Sequence, residues 1–210
     1  MILGPLGFRV NVFNIIEKPD HTIEYIMKSP IRASVWHDNV LWSVCGKYNP
    51  CPMDSEGHVM IQKECSCGIY AAVCPQVACD YLYGPSAGLD KSVMLLVEGL
   101  DANTKKPYIL DSNGKPIGSI WLSENTDRGV GGFTAPGALA VYLVKLPQRY
   151  LWSRMSEDER DRYDLLYACV SQRFGLPIIT MSDAIMLVRQ QWEGHGMTWY
   201  PFYEKMSHLY

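Results

Sequence analysis

The chain has 210 residues, 48% of them apolar and 20% charged, with 19 basic residues against 22 acidic ones and a net charge of −3. That much apolar surface offsets chain entropy, which excludes disorder as the main state, and a chain of this length buries a core without staples. The charge balance argues against a globally basic nucleic-acid binder, although a local basic patch would not show in the total. No apolar run approaches the ~20 residues of a membrane span, and the opening MILGPLGFRV lacks the pattern of a signal peptide. A cytoplasmic protein with no membrane contact is the expectation.

In chain order, residues 7–14 and 22–28 alternate apolar and polar and predict two strands around a turn at Glu17–Asp20. Val40–Cys45 and His58–Gln62 predict two more, separated by a loop with two prolines. Pro75 suits the first turn of a helix and Gly84 its stop, so a short helix over Pro75–Tyr83 is expected, with Val77, Tyr81 and Ala78 inward. Four further strand candidates follow: Ser92–Leu100, Pro107–Asp111, Gly118–Ser123 and Leu139–Leu146. Glu124–Gly137 holds four glycines and a proline and reads as a long loop; Arg128 within it is a candidate phosphate or partner contact.

Beyond Ser156 the pattern changes. Ser156 and Glu159 form a capping box, and Tyr163, Leu166, Tyr167 and Val170 recur at helical spacing. Gly175 and Pro177 end that helix in a tight turn, and a second helix runs from Ser182–Asp183 to Gly194. The expected fold is α+β, with a mostly antiparallel sheet, a short helix after a Cys/His cluster, and a C-terminal helical pair. The expected organisation is a β-rich domain over 1–150, with 151–210 packed on it as helical pair and aromatic tail. Trp199, Tyr200, Phe202 and Tyr203 in that tail are candidate anchors for a protein partner or a larger complex. Nucleic acid is not indicated by charge.

Six of seven cysteines fall between Cys45 and Cys79. Local clustering points to metal or reactive thiols rather than to a disulfide scaffold. Cys45, His58, Cys65 and Cys67 give C-x12-H-x6-C-x-C, a donor set suited to tetrahedral zinc, with Cys51 as the rival fourth ligand. Cys74, at a helix start, and Cys79, within a helix, are expected not to be ligands. Buried inert thiols are the plainer alternative.

The run from His58 to Ala71, HVMIQKECSCGIYA, resembles an H-x6-C-x-C-G-[IL]-Y-A signature of uncharacterised proteins of actinobacteria and their phages, in which a cysteine lies ten to fifteen residues before the histidine, as Cys45 does here. Gly7–Val10, Ser29–Pro30 and Trp36 are similar to their upstream elements. The resemblance covers residues 7–83 and implies the grouping of Cys45, His58, Cys65 and Cys67 and a phage or mobile-element origin, with no activity attached. Two function classes stand side by side. One is a non-enzymatic, zinc-stabilised binding protein acting on a macromolecular partner. The other is a thiol- or metal-dependent enzyme using Cys67 or Cys74. Four protein ligands fill zinc's tetrahedron and leave no position for water, which favours the first.

Overall fold

In the computed structural model, the described residues are 5–29, 36–43, 45, 68–82, 91–100, 121–125, 130–148, 151, 153 and 155–194. They form the expected α+β fold: a nine-stranded, almost wholly antiparallel sheet and three helices. The strands are β1 (Leu6–Glu17), β2 (Ile23–Lys28), β3 (Val40–Trp42), β4 (Ile69–Ala72), β5 (Ser92–Leu100), β6 (Trp121–Asn125), β7 (Val130–Ala135), β8 (Gly137–Lys145) and β9 (Ile178–Thr180). The helices are α1 (Pro75–Leu82), α2 (Glu157–Phe174) and α3 (Met181–Gly194). The sheet order is β3-β8-β5-β1-β4-β7-β6, with β2 added to β1 and β9 to β8.

All nine residues of β5 are buried, so both faces of the sheet are covered at its centre. The unbroken run SVMLLVEGL is what such a strand requires. One hydrophobic cluster joins Leu95, Val97, Phe133 and Leu143 of the sheet to Tyr163, Val170, Ile185 and Val188 of the C-terminal helices. Two tyrosines of α2 reach into the strands. The Tyr167 hydroxyl accepts the Met94 N–H and donates to the Val144 carbonyl, each at 3.0 Å. The paired register of β5 and β8 ends one residue earlier, at Leu95–Leu143, so the hydroxyl bridges the ladder where the strands part. Tyr163 accepts the Leu146 N–H beside it.

Several expectations need correction. The glycine-rich stretch is not a loop throughout: β6 runs to Asn125, Val130–Ala135 is strand β7, and β8 begins at Gly137. Its glycines permit close backbone approach. A Cβ on Gly132 would lie 2.6 Å from the Ala71 carbonyl oxygen, and one on Gly137 would lie 2.5 Å from the Trp42 ring. Gly132→Ala is therefore expected to force β4 and β7 apart and cost about 1–3 kcal/mol, read as a lower midpoint in urea denaturation. The link between α2 and α3 is more than a tight turn. After Gly175 in the left-handed conformation, β9 pairs in parallel with β8. The third expected strand is shorter, ending at Trp42, and β4 directly after Gly68 was not anticipated. Among the described side chains of α1, Pro75, Ala78 and Cys79 are buried and Val77 is half-buried. The strands expected at His58–Gln62 and Pro107–Asp111 lie outside the described residues, as does the Tyr81 side chain.

Candidate functional site

The first strand outruns the sheet. Val12 pairs with Ser92 of β5 on one side and with Lys28 of β2 on the other. Beyond Val12, β5 has ended, and only the Phe13 N–H still reaches the Lys91 carbonyl, at 2.8 Å. Residues 14–26 therefore form a two-stranded arm.

Alternation places Phe13, Ile15, Tyr25, Met27 and Ile23 on one face of that arm. Its root is core: Phe13 and Met27 are buried, and the Phe13 ring stacks on Tyr25 with centroids 6.0 Å apart and meets Phe174 of α2 edge-on at 6.3 Å. Farther out the same stripe is bare, with Ile15 60%, Ile23 56% and Tyr25 37% exposed. Ile16 is exposed on the opposite face. The stripe thus leaves the core and continues into solvent.

The tip is firmly built. The Lys18 N–H donates to the Thr22 carbonyl at 2.8 Å, and His21 takes the left-handed conformation. Asp20 accepts from both the hydroxyl (2.6 Å) and the N–H (3.0 Å) of Thr22, and these bonds hold its carboxyl below the usual range. Lys18 pairs with Glu24 across the arm at 3.2 Å.

The root is pinned by polar groups. The Trp36 indole donates to the buried Asn11 Oδ1 at 3.0 Å, and Arg9 donates to the Ser29 hydroxyl at 3.0 Å and to the Tyr70 carbonyl. The Trp36 N–H donates to the Met27 carbonyl, which ties the turn at His37–Val40 to the outer edge of β2. Between that edge, this turn and the end of α2 lies an open groove of about 380 Å³, lined in part by Tyr25, Trp36, His37, Asp38, Arg173 and Phe174.

Of the expected ligands, only Cys45 is described. It follows the edge strand β3 and is half-buried. Gly68 stands at the head of β4. β3 and β4 run in the same direction, because β8 and β1 are each antiparallel to β5. The exit of β3 and the head of β4 therefore face opposite ends of the sheet. Three strands stand between them, a separation of about 19 Å across the ladder. His58, Cys65, Cys67, the reserve ligand Cys51, Arg128 and the aromatics Trp199, Tyr200, Phe202 and Tyr203 all lie outside the described residues. Cys74 and Cys79 are both buried, the latter inside α1. Among the described residues no helix is long and apolar enough to cross a membrane.

The sequence reading missed the arm as a site, although its alternation was evident. Comparison with protein-family models, with curated proteins and with solved structures finds no significant match.

Proposed function

We propose that the chain is a non-enzymatic binding protein that offers the β1–β2 arm to a macromolecular partner. The observation that carries this is the apolar stripe that leaves the core at Phe13 and runs bare through Tyr25, Ile15 and Ile23 on a tip held by Asp20 and Thr22. Function sits on such projections when a rigid scaffold aims them. The burial of Cys74 weighs against its use as a nucleophile, since a reactive thiol has to be reached by its substrate.

A structural zinc held by the stretch of sequence that links β3 to β4 belongs to the same proposal. Its support is the donor spacing in the sequence. The separation of Cys45 from the head of β4 favours Cys51 as the fourth ligand beside His58, Cys65 and Cys67. The aromatic tail after Gly194 is the second candidate anchor.

The test is site-specific photo-cross-linking in extract from the native source. A probe at Ile15 is expected to yield one discrete cross-linked species, lost on Tyr25→Ser. The same probe at Leu165, equally bare on α2, is expected to yield none. Equal labelling from both positions would end the assignment of the arm as the interface.

A further inference from the structure

The outer edge of β2 is an open place in a strand ladder, and its surroundings define what fills it. Even-numbered residues of the arm carry the β1–β2 ladder, as the Lys18–Thr22 bond and the outward Phe13 N–H establish. Ile23 and Tyr25 therefore direct both their N–H and C=O groups away from β1. Neither has a hydrogen-bond partner on that side among the described residues. Two residues further the edge is closed, because the Met27 carbonyl accepts from Trp36.

We propose that this groove binds a short extended segment of a partner protein by strand addition, with an apolar side chain over Tyr25 and Phe174 and a carboxylate opposite Arg173. The proposal rests on the reading of the chain as a binding protein and specifies the chemistry of its partner. Main-chain bonds to an open edge supply affinity, and pockets for alternate side chains supply specificity. Arg173 lies over the Phe174 ring, 5.5 Å from its centroid, and has no ion pair among the described residues. Lys18 is already matched by Glu24. Among the described residues that line the groove, Arg173 is thus the guanidinium or ammonium left for an incoming acid, and Asp38 lines the same groove.

A second copy of the chain suits the edge less well. Antiparallel pairing of two β2 edges through Ile23 and Tyr25 sets Glu24 directly opposite its own counterpart, and like charges in that position destabilise a ladder.

Random heptapeptides displayed on phage, selected on the full chain and then synthesised, test the proposal. The enriched sequences are expected to alternate apolar residues and to carry Asp or Glu. The synthetic peptide is expected to slow hydrogen exchange at the Ile23 and Tyr25 amides and to leave those of Asn14 and Ile26 unchanged. Ile23→Pro removes an outward N–H without touching the β1–β2 ladder, and is expected to weaken peptide binding about tenfold or more, whereas Ile23→Val retains it. Arg173→Glu is expected to switch the selected acid to Lys or Arg. Peptides whose affinity ignores Ile23→Pro, or whose binding leaves the Ile23 and Tyr25 amides unprotected, overturn the groove proposal and leave the binding-protein reading standing. So does a dimer in sedimentation that protects those two amides. Failure to enrich any peptide overturns the groove proposal alone if the Ile15 cross-link forms, and both readings if it does not.

Discussion

Tyr167→Phe is expected to lower the stability by about 2–4 kcal/mol although it removes one atom. The Met94 N–H and the Val144 carbonyl both depend on that hydroxyl, and the site is fully buried. Leaving a buried donor or acceptor unsatisfied costs about 1–3 kcal/mol each. The ring itself still packs against Tyr163, 4.5 Å between centroids, so no cavity term is added. Urea denaturation at neutral pH reads this loss.

The same residue sets an alkaline limit. Burial pushes the Tyr167 hydroxyl up to about 12, and the hydrogen bond from Met94 only partly opposes it. Burial likewise raises Tyr163 well above 10. A folded-state value above the unfolded one means that the unfolded chain gives up its proton first as pH rises. The stability tied to each tyrosine is whole below pH 10 and drains away as pH climbs through the folded value. Between pH 10 and 12 the wild-type chain is expected to lose stability more steeply than Tyr167→Phe. Parallel slopes would show that the hydroxyl ionises as freely in the folded state as in the unfolded one.

The second large effect concerns metal. Purified protein is expected to hold one zinc, and Cys65→Ala is expected to lose it and to become markedly less stable, since the binding free energy of a structural zinc is folding free energy. Chelation should reproduce the variant. Cys51→Ser and Cys45→Ser decide the fourth ligand. The sheet order predicts metal loss from the first and retention by the second, because a zinc holds its sulfurs about 2.3 Å away and cannot span the sheet between β3 and β4. Cys79→Ser should retain the metal. Its loss there would show that the ligand set is wrong, and absence of zinc from the wild-type protein would end the metal proposal.

Where local rules and packing agreed, the fold was legible. The capping box formed as expected, with the Ser156 N–H donating to Glu159 Oε2 at 2.7 Å and the Ser156 hydroxyl accepting from the Glu159 N–H at 3.4 Å. Pro75 marked the start of α1, and Ser92–Leu100 was legible as a strand with the bounds β5 has. β7 was hidden because Gly132 lies tight against Ala71 and Tyr70, a reason that exists only once β4 lies beside it. β9 is three residues whose strand character comes from β8. One signal was present and passed over: Thr180 caps α3, accepting from the Asp183 N–H at 3.1 Å and donating to its carboxylate at 2.7 Å. The arm failed to appear for a different reason. Alternation marks Ile15 and Tyr25 as inward-facing, and only the point where β5 stops, opposite Val12, reveals that they stand exposed.

The lower end of β1 has its own dependence on distant sequence. On the side away from β5, the Leu6 N–H donates to Gln191 Oε1 and the Leu6 carbonyl accepts from the Trp192 indole, both at 2.9 Å. Two side chains of α3 thus stand in for a neighbouring strand across 185 residues of chain. During synthesis at 5–20 residues per second, that edge waits roughly 10–40 s for its cover. Through that interval the first strand made is a bare template for any other extended chain nearby. The nascent protein is accordingly at its most aggregation-prone before α3 leaves the ribosome, and truncations that spare the whole sheet but remove α3 should be recovered as aggregates rather than as a smaller folded domain.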